Sequence, residues 1–558
     1  MVTRTIHQPG GTKIKGIDVI ASLLQAEGTD CLFCFPDNSL IEAAARLGIR
    51  PLVARSERAA VSMADGYTRA TNGHKPAVVA VQYGPGIENS FGAVAQAYSD
   101  SSPVLILCGH ISANRLGQAP TFDSVANFRE ITKWVVRINA PERIEEILRR
   151  AFLYLRTGRP GPVVIDVPLE IATAEDLPDP RSTYIPGVRT RSAPDPADVE
   201  RVIGALSTAK LPLLHAGQGV LYAGATAKLV EFAELLNAPV MTTLAGKSAF
   251  PEDHPLSLGA GGKTGQRILA HYLQKSDLIF GIGASLTKTV FAAPIPPGKI
   301  AIQATIDERD LSKDYPLSHA LLGDADLVLE ELIRQARAAG PSPAERRSGL
   351  VDEIASLKSE IEQEWRPHFE SAEVPLSPYR VIGELIDALD PRETIITHDS
   401  GLPRDQLAPF WPALVPRSYL GWGKSTHLGY GLGLALGAKV AYPAKTVVNL
   451  MGDSAIGMAG MELETGARLG IPIITVVFNN GGMSFYERGY PVATKEYGLK
   501  YLHGDYAALA RALGVAGERV TTPEEIPAAI GRAVASTREG RPALLEMMTK
   551  EEDALASW

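Results

Sequence analysis

Residues 446–480 read TVVNLMGDSAIGMAGMELETGARLGIPIITVVFNN, and this stretch decides the fold of the carboxyl-terminal part of the chain. Asp453 comes after the strand-like run TVVNLM, Asn480 closes the strand-like run PIITVVFNN, and a helix-compatible segment joins the two. In such a β-α-β unit both residues lie at the carboxyl ends of neighbouring parallel strands, where open α/β sheets bind their ligands. A carboxylate and an amide oxygen there suit a hard divalent cation that shares its shell with phosphate oxygens and water. The stretch therefore predicts a diphosphate held through Mg²⁺.

The same spacing resembles the motif of thiamine diphosphate enzymes, in which Gly-Asp-Ser leads after a fixed gap to Asn-Asn. Asn480 stands 27 positions after Asp453, a gap typical of the acetolactate-synthase-like superfamily. The resemblance implies that thiamine diphosphate and Mg²⁺ are the cofactors. It further implies that Gly452, Asp453, Ser454 and Asn480 contact the cofactor, and that Asp453, Asn480 and Gly482 hold the metal.

Activation of thiamine diphosphate implies a glutamate whose carboxylic acid hydrogen-bonds the N1′ atom of the pyrimidine in a mostly apolar pocket. In related enzymes this glutamate precedes an Ala-rich helix that ends in a Gly-Tyr-Ala-Arg-like stretch. The matching segment runs from Arg55 into ADGYTRATNG, which identifies Glu57 as the catalytic, cofactor-activating glutamate. Ser56 stands where relatives commonly carry a histidine. Without the resemblance, Glu57 would be read as a solvated carboxylate in the first turn of a helix.

A third segment, STHLGYGLG at residues 425–433, resembles the part of these enzymes that supports the bent cofactor. Leu428 is the expected apolar wedge, and the neighbouring glycines let the backbone approach the pyrimidine. His427 is either a substrate-facing group or an ordinary loop histidine. Upstream, the segment His398-Asp399-Ser400-Gly401 follows the strand-like TIIT and is expected to contact the diphosphate, with Ser400 as a cofactor-binding residue.

The chain divides into blocks in which strand-like and helix-like runs alternate, which predicts an α/β fold with three doubly wound parallel-sheet domains. The resemblance makes residues 1–180 the pyrimidine-binding domain, 195–340 the central domain and 375–558 the domain that binds diphosphate and Mg²⁺. A Pro- and Arg-rich stretch, LPDPRSTYIPGVRTRSAPDP, separates the first two.

Composition supports a large cytoplasmic enzyme. The 558 residues suffice for about three domains, and no run of about 18 apolar residues predicts a membrane span. The amino terminus lacks the apolar core of a secretory signal, and the three cysteines cannot build a disulfide framework. A net charge of −8 argues against a nucleic-acid partner.

The carboxyl-terminal block most resembles 2-hydroxyacyl-CoA lyases and oxalyl-CoA decarboxylases, in its Gly-Asp-Ser-Ala, Gly-Met-Glu and Glu-Thr steps and its Asn-Asn-Gly-Gly ending. Acetolactate synthases carry a glutamine in the segment that here reads QAPTFD, where Pro120 takes that place. Their flavin-contacting pattern is not recognisable in the middle block. These departures argue against an acetolactate synthase and against a flavin-dependent oxidase.

Besides His427, three residues are candidates for contact with the substrate. Gln82 and Tyr83, in the loop VQYGPG, offer an amide and a phenol to a thioester oxygen or an α-hydroxyl, although the loop's glycines equally shape a turn. Glu487 is the carboxylate in the ten residues after Asn480. A lyase needs a base for the hydroxyl proton, which Glu487 would supply, whereas the alternative is a surface ion pair with Arg488.

The resulting expectation is a thiamine diphosphate- and Mg²⁺-dependent C–C bond lyase that reversibly cleaves a 2-hydroxyacyl-CoA to formyl-CoA and an aldehyde or ketone. The alternative is a decarboxylase or carboligase acting on a 2-oxo acid or on oxalyl-CoA. Arg404 and Lys424 are candidates for the phosphates of coenzyme A, although lone basic loop residues are usually solvated. A non-catalytic relative is disfavoured because Glu57, Asp453 and Asn480 are all retained.

The resemblance also implies self-association. Glu57 and Asp453 lie in different predicted domains, and family geometry brings such residues together across a subunit interface. A homodimer or homotetramer with active sites at the interface is therefore expected, acting on a small-molecule substrate such as an acyl-CoA.

Overall fold

The computed structural model describes residues 13–36, 38–338 and 348–557, which form two compact units. The first unit holds the described residues up to Ala64 together with His74–Arg189, and the second holds Asp65–Gly73 and the described residues from Thr190 onward. Within these ranges the strands form three six-stranded sheets and one two-stranded sheet.

The first unit contains one of the six-stranded sheets. The strands of this unit are β1 (Lys13–Ile14), β2 (Cys31–Cys34), β3 (Arg50–Val53), β4 (Ala77–Val81), β5 (Val104–His110), β6 (Trp134–Arg137), β7 (Val163–Pro168) and β8 (Leu177–Pro178). Strands β1 and β8 form the two-stranded sheet. The helices that begin there are α1 (Gly16–Ala26), α2 (Leu40–Arg46), α3 (Glu57–Ala70), α4 (Pro85–Ser99), α5 (Ser124–Phe128), α6 (Ile144–Arg156) and α7 (Leu169–Thr173). The sheet has the order β3-β2-β4-β5-β7-β6, and its pairings are parallel.

Continuous apolar runs explain this sheet. The strand sequences CLFC, AVVAV and VVIDVP are buried at every position. A parallel sheet covered on both faces by helices requires such runs, because neither face of the strand meets water. The buried cysteines Cys31, Cys34 and Cys108 are part of this packing, and all three are free thiols.

The second unit contains the other two six-stranded sheets. Its strands are β9 (Pro212–Ala216), β10 (Val240–Thr243), β11 (Ser257–Gly261), β12 (Leu278–Ile282), β13 (Ile300–Thr305), β14 (His319–Leu322), β15 (Thr394–His398), β16 (Tyr419–Leu420), β17 (Thr446–Gly452), β18 (Ile474–Asn479), β19 (Ala516–Val520) and β20 (Ala543–Met548). Its helices are α8 (Pro196–Thr208), α9 (Gln218–Ala223), α10 (Thr226–Leu236), α11 (Arg267–Lys275), α12 (Ala325–Ala338), α13 (Leu350–Phe369), α14 (Pro378–Ala388), α15 (Leu402–Leu407), α16 (Tyr430–Ala441), α17 (Asp453–Ala459), α18 (Glu462–Leu469), α19 (Tyr486–Gly489), α20 (Pro491–Tyr497), α21 (Tyr506–Ala512) and α22 (Ile526–Arg538).

Both sheets of this unit are parallel. The central sheet has the order β11-β10-β9-β12-β13-β14, and the carboxyl-terminal sheet has the order β16-β15-β17-β18-β20-β19. In each case the order doubles back on the chain, so helices cover both faces and ligand sites form beyond the carboxyl ends of the strands. The predicted fold class is thereby confirmed, whereas the predicted domain limits stay a prediction.

The last turns of α3 pack within the second unit through a buried ion pair. Arg69 donates from Nε and Nη2 to Asp65, at 2.7 and 2.9 Å, and both side chains are at most 1% exposed. Tyr430 donates its hydroxyl to Oδ2 of Asp65, and Nη1 of Arg69 donates to the carbonyl of Gly421. Such a buried pair is tolerated because additional hydrogen bonds satisfy its remaining donors and acceptors.

No helix within the described ranges is both long and apolar enough to cross a membrane. The cytoplasmic location stays a prediction.

Candidate active site

The strand ends that precede Asp453 and Asn480 lie side by side. β17 and β18 pair in parallel, with Gly452 opposite Phe478, so both residues emerge at the same edge of the sheet. The main-chain nitrogen of Gly482 lies 2.9 Å from Oδ2 of Asp453 and 3.2 Å from Oδ1 of Asn480. The carboxylate and the side-chain amide therefore converge on one N–H group.

The environment of Asp453 suits a metal ligand. Its side chain is 4% exposed, and burial raises its pKa above the ordinary value, while hydrogen bonds from the amides of Gly482 and Ser454 act in the opposite direction. The groups that oppose this rise most strongly are main-chain amides, which carry no net charge. A buried carboxylate is costly unless it is paired or coordinates a cation, so a divalent ion would supply the charge that these amides do not.

The two adjacent asparagines serve different purposes. Asn479 is 6% exposed, donates to Oε1 of the buried Glu546 at 2.7 Å and accepts from the amide of Gly481. Asn480 donates from Nδ2 to Oγ of Ser484 at 2.6 Å, which leaves its Oδ1 turned toward the Asp453 corner. Asn479 thus ties β18 into the core, and Asn480 presents an oxygen at the edge of the sheet.

A cation here would be held by oxygen atoms of mixed origin. Within the described ranges, no group of three or more His, Cys, Asp or Glu side chains could hold a metal ion. The available ligands are the carboxylate of Asp453, the amide oxygen of Asn480, the main-chain carbonyl of Gly482 and non-protein oxygens. Mg²⁺ accepts such a set, because it usually retains phosphate and water oxygens.

Asp399, in the segment expected from sequence to contact the diphosphate, is buried beside Ser400. Oδ1 of Asp399 accepts from the amides of Ser400 at 2.8 Å and Gly429 at 2.9 Å, and Oδ2 accepts from the amide of Gly431 at 2.9 Å. The carboxylate fixes the loop after β15 to the start of α16. Leu428, just before that start, is half-buried. Only the strand-end position of Asp399 signals this role in the sequence.

His398 is a packing residue. Burial, followed by the nearby Arg404 guanidinium, lowers the pKa of His398 to about 3, so its ring is neutral at physiological pH. The ring stacks on Trp422 with 5.4 Å between centroids, and the Trp422 indole N–H donates to the carbonyl of His398. Arg404 is 3% exposed within α15 and does not have the solvated loop position considered from the sequence.

Glu57 is buried at the start of α3, in the first unit. The residue is 5% exposed, and Nδ2 of Asn89 donates to Oε2 of Glu57 at 2.7 Å. Oγ of Ser56 accepts from the amide of Ala59 at 3.2 Å, so Ser56 caps the helix that Glu57 begins. A Cβ on Gly86 would lie 3.3 Å from Oε1, which makes glycine the residue that fits closely against the carboxyl group.

Gln82 and Tyr83 follow the carboxyl end of β4, beside Glu57. A Cβ on Gly86 would approach Cγ of Gln82 to 2.5 Å, so Gln82 and Glu57 share the space beside that glycine. Both Gln82 and Tyr83 are half-buried. Their contact with substrate stays a prediction.

Glu487 lies at the surface of the second unit. Its side chain is 60% exposed and pairs with Lys500 at 3.1 Å, while Arg488 pairs with Asp553. Hydrogen bonds from Lys500 to Glu551 and then Glu487 raise the pKa of the ammonium group. An ion pair of this kind is the alternative considered from the sequence, with Lys500 in place of Arg488, and the role of Glu487 as a base stays a prediction.

The described structure thus groups the candidate residues into two sets. The first unit holds Glu57, Gln82, Tyr83 and the newly found Asn89. The second unit holds Ser400, Leu428, Gly452, Asp453, Ser454, Asn480, Gly482 and Glu487, together with Asp399.

Family signatures match along most of the chain. Residues 14–128 match the thiamine pyrophosphate enzyme N-terminal TPP binding domain, 199–332 the central domain and 399–547 the C-terminal TPP binding domain. The second match encloses the whole central sheet, and the third begins directly after β15 and covers the other strands of the carboxyl-terminal sheet except the last residue of β20. The chain belongs to the thiamine pyrophosphate enzyme family, and it is a thiamine diphosphate-dependent enzyme.

Known relatives match over almost the whole length. A probable acetolactate synthase large subunit from Methanocaldococcus jannaschii is 31% identical, over 97% of this chain and 93% of its own. Acetolactate synthase isozyme 3 large subunit from Escherichia coli (strain K12) is 30% identical, over 95% and 93%. Glyoxylate carboligase from Escherichia coli O157:H7 is 29% identical, over 96% and 93%.

A solved structure shows the same fold. The thiamine diphosphate-dependent 4-hydroxybenzoylformate decarboxylase of Rhodococcus jostii RHA1 superposes with a TM-score of 0.82, covering 97% of this chain and 100% of its own at 24% identity. The expected kinship with 2-hydroxyacyl-CoA lyases and oxalyl-CoA decarboxylases is not confirmed, because these relatives are synthases and a carboligase. The sequence argument based on Pro120 therefore does not separate this chain from acetolactate synthases.

Replacing each of the two asparagines with alanine should separate cofactor binding from stability. Asn480→Ala should weaken Mg²⁺-dependent binding of thiamine diphosphate about 100-fold, because the corner loses an oxygen ligand. Asn479→Ala, the matched control, should lower the thermal unfolding midpoint with little effect on affinity, because Glu546 loses its buried partner. Calorimetric titration and thermal unfolding measure the two effects. Equal loss of affinity in both variants would contradict the assignment.

Replacing Asn89 with leucine should slow exchange of the C2 proton of bound thiamine diphosphate by about 2- to 10-fold, since a hydrogen bond to a neutral carboxylic acid contributes about 0.5–1.5 kcal/mol. The physical reason is that Asn89 fixes Oε2 of Glu57, and without it the carboxyl group rotates. Proton exchange in deuterated water, read by NMR after acid quench, measures the rate.

Gln96→Leu is the control for this experiment. It lies on the same helix and removes a similar 2.6 Å bond from an amide to Asp100. Its exchange rate should remain that of the unmodified protein. An unchanged rate in Asn89→Leu with cofactor bound would show that Asn89 does not position Glu57.

Proposed function

We propose that the protein decarboxylates a 2-oxo acid with thiamine diphosphate and Mg²⁺, and joins the retained acyl group to a second carbonyl compound. The observation that carries this proposal is similarity over 97% of the chain to an acetolactate synthase, at 31% identity. The relative named glyoxylate carboligase matches over a similar span. Of the two functions considered from the sequence, these relatives favour the decarboxylase or carboligase over the 2-hydroxyacyl-CoA lyase.

Bound thiamine diphosphate supplies the electron sink for breaking a bond next to a carbonyl carbon. Asp453 and Asn480 would hold the metal that anchors the diphosphate, because their oxygens converge on the amide of Gly482. Leu428 would support the cofactor from below, and Asp399 holds the backbone beside it through the amide of Gly429.

Glu57 would hold the proton that activates the cofactor. Asn89 occupies Oε2, so Oε1 remains to share a proton with the pyrimidine N1′ atom. Burial of the carboxyl group excludes water from that proton. Gln82 and Tyr83, at the next strand end, are the proposed hydrogen-bonding groups for the substrate.

The remaining expectations are open to direct measurement. The homodimer or homotetramer with active sites between subunits is part of this proposal, and sedimentation equilibrium tests it. The coenzyme A thioester is the less favoured substrate class.

The proposed activity is tested by supplying the purified protein, Mg²⁺ and thiamine diphosphate with a panel of free 2-oxo acids and, separately, of 2-hydroxyacyl-CoA thioesters. Carbon dioxide and a hydroxyketone product are expected from at least one 2-oxo acid. Glu57→Gln should lower kcat by about 10²- to 10⁴-fold while still binding the cofactor, because the proton-holding group is lost. Formyl-CoA from the thioesters, without carbon dioxide from any free acid, would overturn the proposal.

A further inference from the structure

Arg404 carries a buried cationic N–H group that has no protein partner. The side chain is 3% exposed, and its Nε donates to Oδ1 of the adjacent Asp405 at 2.7 Å. Its Nη1 is buried and, among the described residues, has no hydrogen-bond partner. An unsatisfied donor on a charged group is costly, so its retention points to a ligand that completes it.

The space beside Nη1 is shaped by an aromatic ring and a glycine. The guanidinium carbon lies 4.9 Å from the centroid of the Phe291 ring, a cation–π arrangement that fixes the plane of Arg404. On the other side, Gly423 has φ of +125°, and a Cβ there would lie 3.4 Å from Nη1. The left-handed backbone favours glycine, and a side chain at this position would contact Nη1 directly.

The surrounding charges favour an anion. Lys263 places Nζ 3.2 Å from Oδ2 of Asp405, so a single carboxylate is shared between Lys263 and Arg404. Lys424 is exposed directly after Gly423, with Nζ 3.5 Å from Oγ of Ser285. Lys263 and Arg404 therefore share one carboxylate, and Lys424 adds a further positive charge directly after Gly423.

These residues follow the carboxyl ends of strands in both sheets of the second unit. Lys263 follows β11, Phe291 follows β12 and Arg404 follows β15. The two strand edges meet closely, since a Cβ on Gly421, after β16, would lie 1.9 Å from the carbonyl oxygen of Leu244, after β10. Open α/β sheets bind their ligands at such edges.

The cluster also adjoins the Asp453 corner. Pro403, the neighbour of Arg404 in α15, has its Cγ 3.8 Å from the position of a Cβ on Gly452. A small anion bound at Arg404 would therefore lie next to the segment that anchors the cofactor.

We propose that Arg404, assisted by Lys263 and Lys424, binds the carboxylate of a small organic acid, an inference that rests on the proposed 2-oxo acid function. Nη1 donates to the carboxylate, and the lysines supply positive charge at the entrance. An aldehyde or amide of equal size offers no negative charge to this cluster. The site thus selects acids over neutral carbonyl compounds. A phosphate group shares this chemistry and is the other source of an anion.

The test compares lactate, an unreactive 2-hydroxy acid, with lactamide, which differs by replacing the carboxylate with a neutral amide. Binding to the full-length protein, saturated with thiamine diphosphate and Mg²⁺, is measured by saturation-transfer NMR and calorimetry. Lactate should bind and lactamide should not. Arg404→Lys should weaken lactate binding roughly tenfold, because the directed Nη1–H bond is lost while the charge remains. Lys263→Gln, at an exposed position, should weaken it roughly threefold.

Arg417→Lys is the matched control. Arg417 is also buried and lies over an aromatic ring, that of Tyr222 at 4.6 Å, but it precedes β16 instead of following a strand. Lactate affinity should be unchanged in this variant. Lactate binding that is equal in the native protein, Arg404→Lys and Lys263→Gln would overturn the proposal, and the exposed Lys263 variant keeps the test decisive if Arg404→Lys fails to fold.

Inorganic phosphate distinguishes the two sources of an anion. Phosphate binding that depends on Arg404, without lactate binding, would overturn the carboxylate assignment. Failure of the site and failure of the proposed function are separable. Arg404-dependent lactate binding without carbon dioxide release from any 2-oxo acid would refute the function alone, and the reverse pattern would refute the site alone.

Discussion

The amide of Gly482 is the point on which the candidate active site depends. Its N–H group lies within hydrogen-bonding distance of oxygens from both Asp453 and Asn480. These residues emerge together because β17 and β18 are parallel neighbours in a fixed register. A slip of one residue would turn the strand side chains to the opposite face of the sheet and disrupt this corner. Burial of Asp453 then creates an electrostatic demand that a divalent cation would satisfy.

Main-chain amides position the other parts of the site. Asp399 uses both carboxylate oxygens to hold the amides of Ser400, Gly429 and Gly431, and so orders the backbone beside Leu428. In the first unit a side-chain amide takes this role, because Nδ2 of Asn89 donates to Oε2 of Glu57. Each charged group thus has its geometry fixed before any ligand binds, as preorganised electrostatic sites require.

Much of the fold and part of the site could be predicted from sequence. Continuous apolar runs bounded by glycine signal buried parallel strands, and the pattern from Asp453 to Asn480 combines a strand, a helix and a strand in order. Asn89 could not be found this way, and Asp399 was expected to contact the diphosphate, whereas it holds the main-chain amides of Ser400, Gly429 and Gly431. Asn89 reaches Glu57 across 32 residues of chain, and its amide gives no periodic or motif signal on an exposed helix face.

The substrate class could not be predicted from the sequence for a related reason. The Gly-Met-Glu and Glu-Thr steps that suggested a coenzyme A lyase lie around α18, where Glu462 is buried and accepts from the Thr465 hydroxyl at 2.7 Å. These positions serve helix packing, and packing residues mark kinship without specifying chemistry. Arg404 shows the converse. From the sequence it was expected to be a solvated basic residue in a loop. In the structure it is buried, where it pairs with Asp405 and lies over the Phe291 ring.

The most direct test of the central claim replaces Mg²⁺ with Mn²⁺ and measures the phosphorus hyperfine coupling of the bound ion by pulsed electron paramagnetic resonance. With thiamine diphosphate present, Mn²⁺ should show coupling to the diphosphate, and Asp453→Asn should abolish both the coupling and tight binding of the ion. Mn²⁺ that binds equally well in Asp453→Asn, or that shows no phosphorus coupling in the native protein, would contradict the assignment of this corner as the diphosphate anchor.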